Sequence, residues 1–82
     1  MGARVRLPDD LQKLLRSELE VAIRESALSR EDALIATRYI VEKVPQIDIA
    51  AELCMERSTI SKRLPNITRR VAWAAARLET IT

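Results

Sequence analysis

Apolar residues recur along the chain at three- and four-residue steps, the spacing that places side chains on one face of an α-helix. After a helix entry at residues 7–10, where Pro8 suits a first turn, this pattern predicts an amphipathic helix to about Glu25. Its apolar positions are Leu11, Leu14, Leu15, Leu19, Ala22 and Ile23. Ser29 with Asp32 three residues later predicts a capping-box-like start for a second helix, about residues 30–43.

Proline residues divide the second half of the chain. Pro45 ends the second helix and opens a third, about residues 45–53, and a break is expected at residues 54–56. A further helix is predicted over 57–64, Pro65 is expected to interrupt or kink the path, and a last helix covers about 66–79. The pattern predicts an all-α fold of four to five short helices: a tri-helical helix-turn-helix core with flanking N- and C-terminal helices.

The composition agrees with helices. Of 82 residues 48% are apolar, but Trp73 and Tyr39 are the only aromatic ones, so aliphatic side chains must build the core. One Gly and three Pro leave too few turn residues for a sheet of hairpins. We expect a single domain over residues 1–82, with a flexible basic start at 1–6.

The composition also bears on whole classes of function. A single Cys and no His exclude an internal disulfide and a thiolate cluster within one chain, and we expect neither a cofactor nor a metal. The longest uncharged run, residues 71–76, is too short for a membrane span or a signal-peptide core. These features predict a soluble, cytoplasmic protein.

The net charge of +2 conceals an uneven distribution. Residues 9–56 carry eleven acidic against six basic side chains, whereas residues 57–82 carry six basic side chains against Glu79 alone. A charge run is often only a solvated face, and on charge alone that interpretation is about as well supported as a surface that binds a partner. Sorted this way, however, the charges make one end of the molecule attractive to a polyanion.

The segment of residues 46–64 has the pattern of two short helices that cross steeply. Ala50 supplies a small residue where the backbones approach, and apolar residues occupy the inward positions Ile49, Leu53, Met55, Ile60 and Leu64. The second helix offers Arg57, Ser58, Ser61 and Lys62 outward. Short polar and basic side chains on one helix suit the major groove of DNA, where Arg and Lys donate to guanine and Ser serves several bases.

Residues 49–53 (IAAEL) and 58–64 (STISKRL) resemble the helix-turn-helix of bacterial regulators, and most closely the promoter-binding C-terminal domain of sigma factors. The resemblance covers about residues 29–70, including the lead-in helix with Arg38 and Tyr39. It implies a sequence-specific, nucleoid-associated transcriptional regulator that binds double-stranded DNA. A chain of this length has no counterpart of the other sigma-factor domains, so we do not expect a complete sigma factor.

The resemblance also implies roles for individual residues. Arg57, Ser58, Ser61 and Lys62 would face the bases; Gln46, Thr59 and Arg63 would hold phosphates; Arg69 and Arg70 would reach the flanking backbone. Two positions depart from the pattern: Cys54 stands where such motifs place Gly, and Glu56 where they place a Ser cap.

Other interpretations of these residues are weaker. Arg57 and Lys62 could be solvated surface, but the surrounding motif favours DNA contact. Cys54 is expected to be a small buried turn residue rather than a redox sensor. Ser58 and Lys62 lie four apart, yet no oxyanion site accompanies them, so the sequence does not predict an enzyme.

The acidic residues Asp48, Glu52 and Glu56 recur every four residues. One helical face without loop oxygens is a poor cation cage, so we expect a solvated face or a protein contact. A rival hypothesis follows from this stripe: a protein-interaction module that keeps the helix-turn-helix shape and docks on RNA polymerase or another regulator.

A heptad-like seam runs along the last two predicted helices through Ile60, Leu64, Ile67, Val71, Ala74, Leu78 and Ile81. We expect its upstream half to pack against the first helix of the same chain. Trp73 lies off the seam beside Ala72 and Ala76, which suggests a homodimer through the first and last helices. The reading helices of a dimer would suit half-sites about 34–36 Å apart.

Overall fold

The computed structural model describes the backbone of residues 14–81 and the side chains of residues 14–78. Within that range the protein is all-α, as predicted, with no strand. Its helices are α1 (Arg16–Glu25), α2 (Arg30–Ala36), which a π-helical turn continues over Thr37–Val41, α3 (Gln46–Glu52) and α4 (Arg57–Ile81). None of these helices combines the length and the apolar composition that a bilayer crossing requires.

A helix begins at Arg16, inside the stretch that the periodicity predicted as one continuous helix. Leu15 is in an extended conformation (φ −70°, ψ 158°) and 69% exposed, so α1 begins at Arg16. The Glu18 carboxylate accepts a hydrogen bond from the Leu15 backbone N–H at 2.8 Å, which caps the helix at that point. The predicted entry at residues 7–10 lies outside the described residues, while the predicted end at Glu25 is confirmed.

The second helix starts as predicted and ends in an unpredicted π turn. The Asp32 N–H donates to the Ser29 hydroxyl at 3.2 Å. From Thr37 the backbone widens, and the Glu42 N–H donates to the carbonyl five residues back. The helix ends at Val41, two residues earlier than expected, and Lys43 turns the chain with φ 59°.

The connection between α3 and α4 is a Schellman-type helix end. The Met55 N–H donates to the Ala50 carbonyl at 2.8 Å and the Cys54 N–H to the Ala51 carbonyl at 3.3 Å. Cys54 itself has φ 56°, the left-handed conformation that the Gly of related motifs adopts without cost. The predicted break at residues 54–56 is therefore present, with the end of α3 and the start of α4 within about one residue of expectation.

The prediction of two separate helices on either side of Pro65 is wrong, while the alternative expectation of a kink there stays a prediction. A single helix of 25 residues runs through it, although Pro65 has no N–H to donate to the carbonyl of Ser61. The side chains of Leu64 and Ile67 on either side are fully buried, and this packing holds both halves in one helix. The Thr68 hydroxyl also donates to the Leu64 carbonyl at 2.9 Å.

The core forms along one stripe of α4. Its fully buried members are Ile60, Leu64, Ile67 and Val71, and helices α1, α2 and α3 all pack against α4. The upstream heptad seam is thus buried within one chain, and α1 is among the helices that pack against α4. Ile35 and Ile40 complete the core from α2 and the π turn, whereas Leu34 is exposed.

Replacing Pro65 with Ala is expected to raise the free energy of unfolding by about 2 kcal/mol. The change restores a helical hydrogen bond, worth about 3 kcal/mol with the relieved clash, and it loses about 1 kcal/mol of unfolded-state restriction. Urea unfolding followed by circular dichroism measures the change in the free energy of unfolding.

Pro45 provides the matched control, because it precedes α3 with φ −61° in an extended conformation and interrupts no helix. Pro45→Ala is expected to lower stability slightly, by roughly 0.4–1 kcal/mol. Equal effects of the two substitutions would contradict a continuous, strained α4.

Candidate nucleic-acid interface

Helices α3 and α4 pack closely at the position predicted for the helix crossing. Ala50 is only 4% exposed there, and Ile49 and Ile60 are fully buried. Leu53 and Met55 pack partly buried against the same core. All five inward positions of the predicted motif therefore face the interior, and the backbone forms two helices joined by a short turn.

A side-chain hydrogen bond fixes the start of α3 against α4. The Ser61 hydroxyl donates to the Gln46 amide oxygen at 2.6 Å, and both side chains are half-buried. These two residues were predicted to contact bases and phosphates, respectively. In the free protein they contact each other, so Gln46 and Ser61 position the two helices.

The opposite end of α3 is held by an arginine. The Arg38 guanidinium donates to Glu52 at 2.8 Å and to Glu42 at 2.6 Å. These hydrogen bonds, first that with Glu42, raise the pKa of Arg38 above its usual range. Arg38 thereby ties the end of the π turn to the last residue of α3. This role was not predicted from the sequence, although the i,i+4 spacing of Arg38 and Glu42 is a recognisable signal.

The first turns of α4 present polar and basic side chains to solvent. Arg57, Ser58 and Lys62 are exposed, and Thr59 is half-buried. The Ser58 hydroxyl makes a long contact of 3.4 Å with the Glu56 carboxylate. The predicted base-facing residues are thus brought together on one turn and a half of helix, with Ser61 at their inner edge.

Arg63 is engaged within the chain. Its guanidinium donates to Glu31 and, at 3.3 Å, to Asp32, so the side chain joins α4 to the acidic first turn of α2. The hydrogen bond with Glu31 is the main cause of a raised pKa for Arg63. A phosphate contact by Arg63 would have to compete with these two carboxylates.

The predicted flanking contacts lie further along the exposed side of α4. Arg69 and Arg70 are both exposed, and Arg69 donates to the Asn66 amide oxygen at 3.0 Å. Because a helix advances 1.5 Å per residue, Arg69 lies about 16 Å along the axis from Ser58. Trp73, one turn beyond, is 74% exposed, as its position off the seam predicted.

Two expectations about the turn and the acidic stripe change. Cys54 is exposed, whereas it was expected to be buried, because its left-handed conformation directs the side chain away from the core. The acidic stripe is also interrupted, since Glu52 is bound by Arg38. Asp48 and Glu56 remain exposed, and the described residues contain no cluster of three or more His, Cys, Asp or Glu side chains with metal-binding geometry.

No protein-family model, curated protein or solved structure matches this chain.

The bond between Ser61 and Gln46 predicts a specific coupling. Ser61→Ala and Gln46→Ala are each expected to lower the free energy of unfolding by about 0.5–1.5 kcal/mol, and the double variant by no more than the larger single effect. Denaturant unfolding of the three variants measures the coupling. Ser58→Ala, which removes an exposed hydroxyl from the same helix, is the control and should change stability by less than about 0.5 kcal/mol. Strictly additive effects of the two substitutions would show that the bond contributes nothing.

Proposed function

We propose that this protein is a sequence-specific DNA-binding transcriptional regulator of the sigma-factor-like helix-turn-helix type, whose reading helix is the N-terminal part of α4. The observation that carries the proposal is the exposed surface of Arg57, Ser58 and Lys62 on a helix whose opposite face is fully buried. A helix of this kind, about 10–12 Å across with its side chains, fits a major groove about 12 Å wide.

The residues take different roles in the proposed complex. Arg57 and Lys62 donate to guanine edges, and Ser58 serves an adjacent base. Ser61 contacts a base only when its hydrogen bond to Gln46 breaks and the hydroxyl bonds to that base instead. Its main contribution is therefore to hold the reading helix at a fixed angle to α3. Thr59 and Gln46, the first residue of α3, are half-buried beside the reading residues, where phosphate contacts set the register.

Electrostatics favours the same surface. The six basic residues of the 57–82 segment oppose one acidic residue, while most acidic side chains belong to the preceding segment. Of these basic residues, Arg63 is paired with carboxylates, which leaves Arg57 and Lys62 as the cations of the reading turns. An uneven field of this kind orients the molecule toward a polyanion during association.

Changing Arg57 or Lys62 to Ala is expected to weaken binding to the preferred duplex by about 1–3 kcal/mol and to relax base preference at one position. The preferred duplex is first selected from a random DNA pool with the purified protein. Affinities of each variant are then measured by fluorescence anisotropy over a range of salt concentrations, since each lost phosphate contact lowers the salt slope by about one.

Arg24→Ala is the matched control, because Arg24 is an exposed arginine on α1. It should leave both affinity and base preference unchanged. If Arg57→Ala and Lys62→Ala behave like this control, the assigned reading surface is wrong.

A second candidate function is a protein-interaction module that docks on RNA polymerase or another regulator. One observation favours it: Ile47 on the outer side of α3 is 63% exposed, next to the exposed carboxylate of Asp48. An apolar side chain with a polar one at its edge matches the apolar centre and polar rim of protein interfaces. Absence of DNA retention even at low salt would favour this candidate, whereas affinity that falls steeply with salt favours DNA binding.

We also propose that the protein acts as a homodimer through its first and last helices. Val21 on α1 is exposed, and Ala76 lies on the exposed side of α4. Sedimentation at micromolar concentration is expected to give a dimer. A monomer at all concentrations would remove the dimer while leaving a monomeric DNA-binding protein intact.

A further inference from the structure

The surface around Trp73 combines an apolar ring with positive charge. Trp73 has the largest exposed fraction of the large apolar side chains described, and the helix that carries it buries Val71 and Ala74 on its opposite face. The core therefore does not need this indole. Because α4 is packed along its length, the ring is held outward on a rigid support.

Three arginines surround the ring. Arg69 and Arg70 precede Trp73 by four and three residues, and Arg77 follows it by four, so all three are its neighbours on the helix. Among residues 14–78, no carboxylate forms an ion pair with any of these guanidinium groups, in contrast to Arg38 and Arg63. Their charge is therefore available to a partner.

Shallow grooves lie on both sides of the ring. One, of about 370 Å³, is lined by Asn66, Arg69, Arg70 and Trp73. The other lies between Trp73 and the end of α1, where Arg70 and Arg77 face Ser26 and Ala27, with Glu25 as the only carboxylate that lines it. Trp73 thus separates the two grooves, and arginines outnumber carboxylates in the lining of each.

We propose that this surface binds single-stranded nucleic acid, with Trp73 as a stacking platform for an unpaired base and the three arginines as phosphate contacts. An aromatic face within a basic groove is the arrangement that binds unpaired strands with little sequence preference, because every base offers a π-face and every nucleotide a phosphate. This activity is separate from duplex reading by Arg57 and Lys62 and does not depend on it.

The charge pattern argues against a two-fold contact centred on Trp73, so the homodimer proposed above is centred on Val21 of α1 and leaves the indole outside its contact. In a two-fold contact centred on Trp73, the same patch faces itself, so the arginines of one copy would meet those of the other. Like charges brought together this way oppose association. An anionic partner encounters no such repulsion.

Duplex DNA uses this surface less well. Its bases are stacked and paired, so an indole outside the grooves reaches only sugar and phosphate. Trp73 also lies about 20 Å along α4 from the centre of the reading turns. An unpaired strand supplies the base face that the ring requires.

Intrinsic fluorescence provides a site-specific test, because Trp73 is the only tryptophan in the chain. The full chain is titrated with oligothymidylate about twelve nucleotides long, a length within the site sizes known for single-strand binding surfaces. Saturable quenching is expected. A blunt duplex of unrelated sequence with the same number of phosphates should quench at least several-fold more weakly.

Variants separate stacking from charge. In anisotropy measurements with labelled oligothymidylate, Trp73→Ala is expected to weaken binding by roughly 5- to 150-fold, and Trp73→Phe to retain most of the affinity. Arg69→Ala with Arg70→Ala should weaken binding and reduce its salt slope by about 1.4, since each phosphate contact with a single strand contributes about 0.7. The matched control is Arg57→Ala with Lys62→Ala, which should leave single-strand binding unchanged.

Several outcomes would overturn the proposal. Equal quenching by the blunt duplex would assign the surface to duplex backbone, and equal quenching by a polyglutamate peptide would assign it to an acidic protein. A blue shift of the emission that depends only on protein concentration would assign it to a second copy. Unchanged oligothymidylate affinity in Trp73→Ala, with circular dichroism showing a folded protein, would remove the stacking role.

Discussion

The whole arrangement depends on the burial of one aliphatic stripe along α4. Four residues of that stripe, Ile60, Leu64, Ile67 and Val71, have no solvent exposure, and each of the other helices packs against them or beside them. In a chain without Phe the core is aliphatic, and these four residues are among the seven largest side chains that are fully buried. The same stripe decides which side of α4 remains for partners, since a helix has only one opposite face.

Polar side chains then refine the placement of α3, which has only seven residues. Ile49 and Ala50 alone anchor its inner side, which would leave its rotation weakly determined. The bond between Gln46 and Ser61 holds one end, and the contact between Arg38 and Glu52 holds the other. Several residues that resemble a DNA-contacting set therefore work first as internal contacts, and the proposed reading surface is narrower than the motif suggests.

Much of the fold could be predicted from periodicity and caps. The inward positions of residues 49–64, the start at Ser29 and the turn at Cys54 follow from local rules, because each depends on neighbours within a few residues. Two features could not be predicted from periodicity or caps. Continuity through Pro65 depends on burial of the residues around it, which overrides a local penalty. The π turn at Thr37–Val41 has no distinctive composition, since it adds a residue to a turn without altering the apolar character of the segment.

The residues of the candidate site could be predicted from the sequence, but the contacts that some of them make within the chain could not. Exposure of Arg57, Lys62 and Trp73 follows from their place opposite the core. The pairing of Arg63 with the first turn of α2 brings together residues more than thirty positions apart, which no local pattern can reveal.

Three bends of the backbone affect which substitutions this protein can accept during evolution. Ala27, Lys43 and Cys54 all adopt left-handed backbone conformations that favour glycine, and the only glycine in the chain is Gly2. Each of these bends therefore holds a small amount of conformational strain at an exposed position. Single substitutions there could add stability without touching the core or the basic surface, which leaves the lineage room to accept destabilising changes on its binding face.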